Sequence, residues 1–145
     1  MNQKLVNLWT KVSFVFVFSF LLNFVWESLH AVYLYEGHNF AAKFYVRMIL
    51  YVSTIDALLV CLILVIGSFV FDKFSNPLNL NQISFTFILG VLIAAIIEAK
   101  ALFFKQWIYT DLMPTIFGMG LSPLLQLAVT GVISFFLVSK FFNRK

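Results

Sequence analysis

Three carboxylates, Glu27, Asp56 and Glu98, sit in strongly apolar stretches of the sequence, and His30 follows the first of them by three residues. An ionisable side chain inside a bilayer costs several kcal/mol unless it is paired or neutralised, so such groups mark functional sites by default. Burial favours the neutral form of a carboxyl group. A close pair can then divide the work, one member giving a proton while its partner, or a histidine, takes one. Glu27, Glu98, His30 and Asp56 are accordingly the candidate catalytic residues. Glu27 and Glu98 form the acid/base pair, and His30 and Asp56 tune them. Protonation, isomerisation or cyclisation of a chain by such groups requires no cofactor.

Other residues suit substrate binding. Asn23 and Gln126 can orient a ligand, and Trp26, Trp107 and Tyr109, with Phe24 and Tyr33, supply an aromatic wall. Ring faces attract positive charge and could steady a cationic intermediate. The natural partner is a membrane lipid or isoprenoid entering sideways from the outer leaflet.

The elements that must carry these groups follow from composition. Hydrophobic residues make up 62% of the 145 positions, Lys, Arg, Asp and Glu together 11%, and mean hydropathy is +0.98. A water-soluble domain carries about 25% charged residues. The fold class expected is all-α: a polytopic membrane protein, an antiparallel bundle of four transmembrane helices in one domain over residues 1–145. Crossing the hydrocarbon takes about 20 apolar residues, and four stretches qualify, at about 12–35, 45–71, 83–104 and 121–139. The first is too long for a secretory leader, and Glu27 and His30 interrupt it. Turn-forming residues separate the spans: Glu36 to Asn39, then Asp72 to Gln82. The third connection, Lys105 to Gly120, mixes aromatic residues with glycine and suits the membrane interface.

Ten Lys and Arg scattered in ones and twos do not make a nucleic-acid surface. Six of them (Lys4, Lys11, Lys73, Lys140, Arg144, Lys145) fall on one side of the expected bundle and four (Lys43, Arg47, Lys100, Lys105) on the other. That bias points to both termini being cytoplasmic in a cell (inner) membrane. A lone cysteine, Cys61, excludes an internal disulfide.

Depth and facing agree. At 1.5 Å per residue Glu27 lies about 12 Å and His30 about 8 Å below the outer end of the first span, with Asp56 about 16 Å and Glu98 about 9 Å down theirs. Gln126 lies at a similar depth, so each helix contributes a polar group to one half of the bilayer. Ser19, Asn23, Glu27 and His30 share a stripe at spacings of four, four and three. Thr86, Gly90, Ala94 and Glu98 form another, small enough for a second backbone to approach. Ser53 with Asp56, and Gln126 with Thr130 and Ser134, complete the set.

Other readings stay open. The polar layer could be a structural network, with Ser, Thr, Asn and Gln joining helices. The protein would then be a non-enzymatic lipid- or small-molecule-binding subunit or a carrier, and self-association is left open. Glu27-Ser-Leu-His30 also has the Glu-x-x-His spacing of metal-binding helix bundles. Glu98-Ala-Lys-Ala does not repeat it, which leaves at most a mononuclear site, so no metal ligand is assigned.

Two resemblances rest on these residues. Asn23-Phe24-Val25-Trp26-Glu27 resembles the Asn-x-x-Trp-Glu helix of integral-membrane terpene cyclases, which implies that Glu27 is the acid that protonates an epoxide or alkene. The present chain is shorter than that family, with fewer spans. Over most of its length the chain resembles a group of small prokaryotic four-span membrane proteins. This likeness rests on the Trp-Glu helix, Asp56, Ile97-Glu98, Trp107-x-Tyr109, Met113-Pro114 and Gly120-Leu121-Ser122-Pro123-Leu124-Leu125-Gln126, and implies a fold without an activity.

Overall fold

A computed structural model describes residues 3–37, 41–71 and 78–142. Four helices dominate it: α1 (Gln3–Tyr33), α2 (Ala42–Val70), α3 (Leu80–Phe103) and α4 (Leu121–Phe142). All four are long and apolar enough to cross a membrane, α1 through its Leu8–Tyr33 portion. The chain is a multi-pass membrane protein. With no water in the hydrocarbon to take up backbone polar groups, helices satisfy them internally. Of the residues assigned to turns, His38, Asn39 and those from Asp72 to Pro77 lie outside the described residues, as do Arg144 and Lys145.

Consecutive helices run antiparallel, and so do α1 and α4. Tyr45 at the start of α2 donates to the Ser28 carbonyl near the end of α1 (3.0 Å), while Cys61, deeper in α2, approaches the Val12 carbonyl. The Phe14 ring meets Phe141 and Phe142 at the far end of α4, and His30 meets Ser122 at its beginning. Between α3 and α4 the backbones come into close contact at Gly90. A Cβ on Gly90 would fall 2.7 Å from the Cα and N of Ala128, so only glycine lets these backbones meet. Glycine here exchanges helix propensity for interhelical contact.

The bundle is polar-lined and greasy outside. Ser19, Asn23, Ser53, Thr86, Thr130 and Ser134 are buried, whereas Val17, Leu21, Ile88, Leu92 and Ile96 are exposed to the surroundings. The buried hydroxyls are not the interhelical links that residue type suggests. Ser19 donates to the Val15 carbonyl, Thr86 to Gln82, Thr130 to Gln126 and Ser134 to Thr130, each within its own helix. Their contribution between helices is small size. In the half of the bundle away from the carboxylates, Val15, Val60, Ile63, Leu64, Phe135 and Val138 fill the core.

The helices run past several of the expected span boundaries, α1 from Gln3 and α4 to Phe142, and three local features shape the bundle's ends. First, α3 begins at Leu80 rather than 83, because Asn79 and Gln82 form a reciprocal cap. Asn79 Oδ1 accepts from the Gln82 N–H (2.9 Å) and the Asn79 N–H donates to Gln82 Oε1 (3.2 Å), satisfying two end donors. Second, α3 ends in a Schellman arrangement. The Gln106 N–H donates to the Ala101 carbonyl and the Lys105 N–H to Leu102, with Lys105 in the left-handed region at φ 51°. That turn sends the chain back over the end of the bundle. Third, the connection contains a small hairpin, β1 (Thr115–Ile116) and β2 (Met119–Gly120), pairing Thr115 with Gly120 and Ile116 with Met119. Phe117 and Gly118 both have positive φ, at 52° and 78°, the geometry of a two-residue hairpin turn.

Candidate functional site

The returning connection is laced to the end of α1. The Glu36 N–H donates to the Ile108 carbonyl, the Thr110 N–H to Leu34, and the Thr110 hydroxyl to Tyr33. This pairing aligns Tyr35 with Tyr109 as an isolated antiparallel bridge. It thereby brings Trp107 and Tyr109 over the mouth of the bundle, where their rings meet Tyr35 at centroid distances of 5.9 and 5.6 Å.

Beneath these rings lies a cavity of about 370 Å³ whose lining draws on all four helices and the connection after α3. Glu27, Asp56, Glu98, Trp107 and Gln126 line it, as do Tyr35 and Tyr51; among the described residues no Lys, Arg or His does. Tyr51 is 69% exposed and Ile97 37% exposed, so the cavity reaches the outer surface between α2 and α3.

The carboxyl groups fall into two clusters. In one, Gln126 Nε2 lies 2.7 Å from Glu27 Oε1, 2.9 Å from Asp56 Oδ2 and 3.1 Å from Asn23 Oδ1. A primary amide has two N–H donors, so three acceptors on α1 and α2 compete for two protons. The shared amide holds the Glu27 and Asp56 carboxyl groups side by side, and a hydrogen bond between two carboxyl groups requires that one of them carry a proton. In the second cluster the Tyr109 hydroxyl donates to Glu98 Oε2, and Tyr35 also hydrogen-bonds the Glu98 carboxyl. Burial pushes the Tyr35 phenol well above its ordinary value, and the nearby Glu98 and Glu27 carboxylates add to the effect. Tyr109 is pushed up to about 12, by burial first and then by its bond to Glu98. Both phenols therefore remain donors across the physiological range.

Asn23 lies behind the lining and acts through Gln126, and Tyr109 acts through Glu98. Trp26 and His30 are elsewhere: they line a different cavity, between α1 and α4. The stripe through Asn23 and Glu27 continues at spacing four to Ala31 and Tyr35, both in the lining. A step of three falls about 60° short of a full turn and a step of four passes it by about 40°, which leaves His30 on the flank of the stripe that faces α4. His30 therefore does not join the carboxyl cluster. Among the described residues no three His, Cys, Asp or Glu side chains converge as a metal-binding set.

Sequence reasoning passed over Tyr35, Tyr51 and Ser122. Tyr35 carried a usable signal, since it extends the spacing-four stripe beyond Glu27. Comparison of the chain with protein-family models, curated proteins and solved structures gives no match.

Proposed function

We propose that the protein carries out cofactor-independent acid–base chemistry on a membrane lipid or isoprenoid held in the four-helix cavity. The observation that carries this reading is the Glu27–Asp56 carboxyl pair, held by the Gln126 amide at the wall of a largely apolar cavity open toward the bilayer between α2 and α3. In this reading the pair shares one proton. Glu27 delivers the proton to a carbon–carbon double bond or an ether oxygen of the bound chain. The rings of Tyr35 and Trp107 face the positive charge that forms. Glu98, held by Tyr109 and Tyr35, accepts a proton from a neighbouring carbon, so the net change is isomerisation or ring closure. Both termini lie in the cytoplasm of an inner-membrane protein, by the excess of basic residues on that side.

The test is extraction and mass analysis of lipids that accompany gently purified protein, followed by turnover of the identified lipid in nanodiscs. A co-purifying isoprenoid or lipid that is lost in Glu27→Gln supports the reading. Glu27→Gln combined with Glu98→Gln should abolish turnover while leaving the fold intact. Lipid-free protein whose double variant only loses stability sinks it.

A second reading is favoured by Gln126, which ties α4 to α1 and α2 at once. In that reading the polar layer fixes helix positions, and the cavity binds a lipid or small molecule without converting it.

A further inference from the structure

The cavity between α1 and α4 has a volume of about 590 Å³ and is walled mainly by side chains such as Leu22, Val25, Leu29, Val129 and Ile133. His30 and Ser122 stand at one end of it. His30 Nε2 lies 2.5 Å from Ser122 Oγ, within the reach a general base needs to activate a hydroxyl. The base is 3% exposed. Its ring is held between Trp26 and Tyr35, at centroid distances of 5.8 and 5.9 Å. Ser122 is only partly buried and lines the cavity.

The backbone around Ser122 adds a third element. Ser122 is the second residue of α4, at the positive end of the helix dipole. In that first turn the Gly120 N–H donates to the Tyr109 hydroxyl, the Leu121 N–H donates to the Pro114 carbonyl, and position 123 is proline. The N–H of Ser122 belongs to the same first turn, next to the nucleophile's own side chain, and is the group that would serve as oxyanion donor.

We propose that Ser122 and His30 form a second reactive site, which takes an acyl group from a lipid ester. The occupant follows from position. The pair lies at a span end, where the hydrocarbon gives way to headgroups. The apolar groove runs from Ser122 to Ile133, about 16 Å along α4, and receives the acyl chain. Ser122 Oγ attacks the ester carbonyl carbon as His30 Nε2 takes the hydroxyl proton. The tetrahedral oxyanion faces the Ser122 N–H. The carbonyl carbon–alkoxy oxygen bond then breaks, and His30 returns the proton to the departing alcohol. A water molecule from the interface repeats the sequence on acyl-Ser122 and releases the fatty acid. None of Glu27, Asp56 or Glu98 takes part.

The experiment uses the full chain in nanodiscs and a long-chain alkyl fluorophosphonate, in which the serine oxygen displaces fluoride from phosphorus. Peptide mass mapping is expected to place the adduct on Ser122 and not on Ser28, whose hydroxyl is bonded to the Phe24 carbonyl. His30→Gln should slow the labelling at least about a hundredfold, the scale of a lost general base. Wild-type protein carries the first arm, so a misfolded variant cannot obscure it. Absence of an adduct at Ser122 in folded wild-type protein overturns the proposal. An adduct that forms at the same rate in folded His30→Gln protein overturns the role of His30.

Discussion

Gln126 Nε2 lies 2.7 Å from Glu27 Oε1, and the same nitrogen reaches Asp56 on another helix at 2.9 Å. One amide on α4 thus holds the carboxyl pair that joins α1 and α2. Whatever passes through the cavity, this amide sets the geometry that the pair presents to it.

Replacing it should be costly. Gln126→Leu leaves Asn23, Glu27 and Asp56 short of a donor, and each unsatisfied buried polar group costs about 1–3 kcal/mol. Thermal unfolding in detergent should show a clear fall in midpoint. A midpoint equal to that of the wild type would mean that the network does not hold the helices.

Asp56→Asn separates packing from proton delivery. The amide has nearly the same shape and can still donate to Glu27, so helix packing is expected to survive. The proton shared by two carboxyl groups is gone, and the protonated-carboxyl infrared band should weaken by isotope-edited difference spectroscopy. Turnover of the co-purified lipid should fall about 10²-fold or more, as for loss of a positioned acid. Undiminished turnover would remove the pair from the mechanism.

The meeting of α3 with α4 yields a contrast between two glycines. A Cβ at Gly90 would lie 2.7 Å from Ala128 backbone atoms, whereas one at Gly131 would make ordinary contacts, the nearest 3.4 Å from Thr86 Cγ2. Gly90→Val should force the helices apart and cost at least about 1–3 kcal/mol, the range for overpacking. Gly131→Ala should be tolerated. Chemical denaturation of the two variants side by side decides this, and equal losses would refute the close approach.

Alkaline pH tests the phenols. The folded protein holds the Tyr109 proton up to about pH 12, against 10.0 ordinarily. At such pH the folded state binds more protons than the unfolded chain, so stability must fall as pH rises. The contribution of this tyrosine is intact below pH 10.0 and is lost as pH climbs through about 12. Stability measured against pH should decline over that window, and Tyr109→Phe should flatten the decline. A slope that Tyr109→Phe leaves unaltered would show that this phenol ionises freely.

Much of this organisation was legible before any folding was considered. Four uninterrupted apolar runs dictate four spans, because lipid offers backbone groups no other partners. The stripe Thr86, Gly90, Ala94 and Glu98 faces inward as its spacing requires, with Thr86, Ala94 and Glu98 almost fully covered. The common depth of Glu27, Asp56, Glu98 and Gln126 follows from counting residues along alternating helices. Other features depend on atoms distant in sequence. A spacing of three or four keeps two side chains near each other on a helix, yet only the neighbouring helices decide which side of the stripe meets the cavity. That choice unites Glu27 with Ala31 and Tyr35 and assigns Trp26 and His30 to the groove against α4. The hairpin and the left-handed turn at Lys105 rest on local backbone geometry that apolar periodicity does not encode. The sequence by itself determined what must lie inside the membrane. Tertiary structure decided which of those groups touch, because contact depends on rotation about each helix axis and on the partner that fixes it.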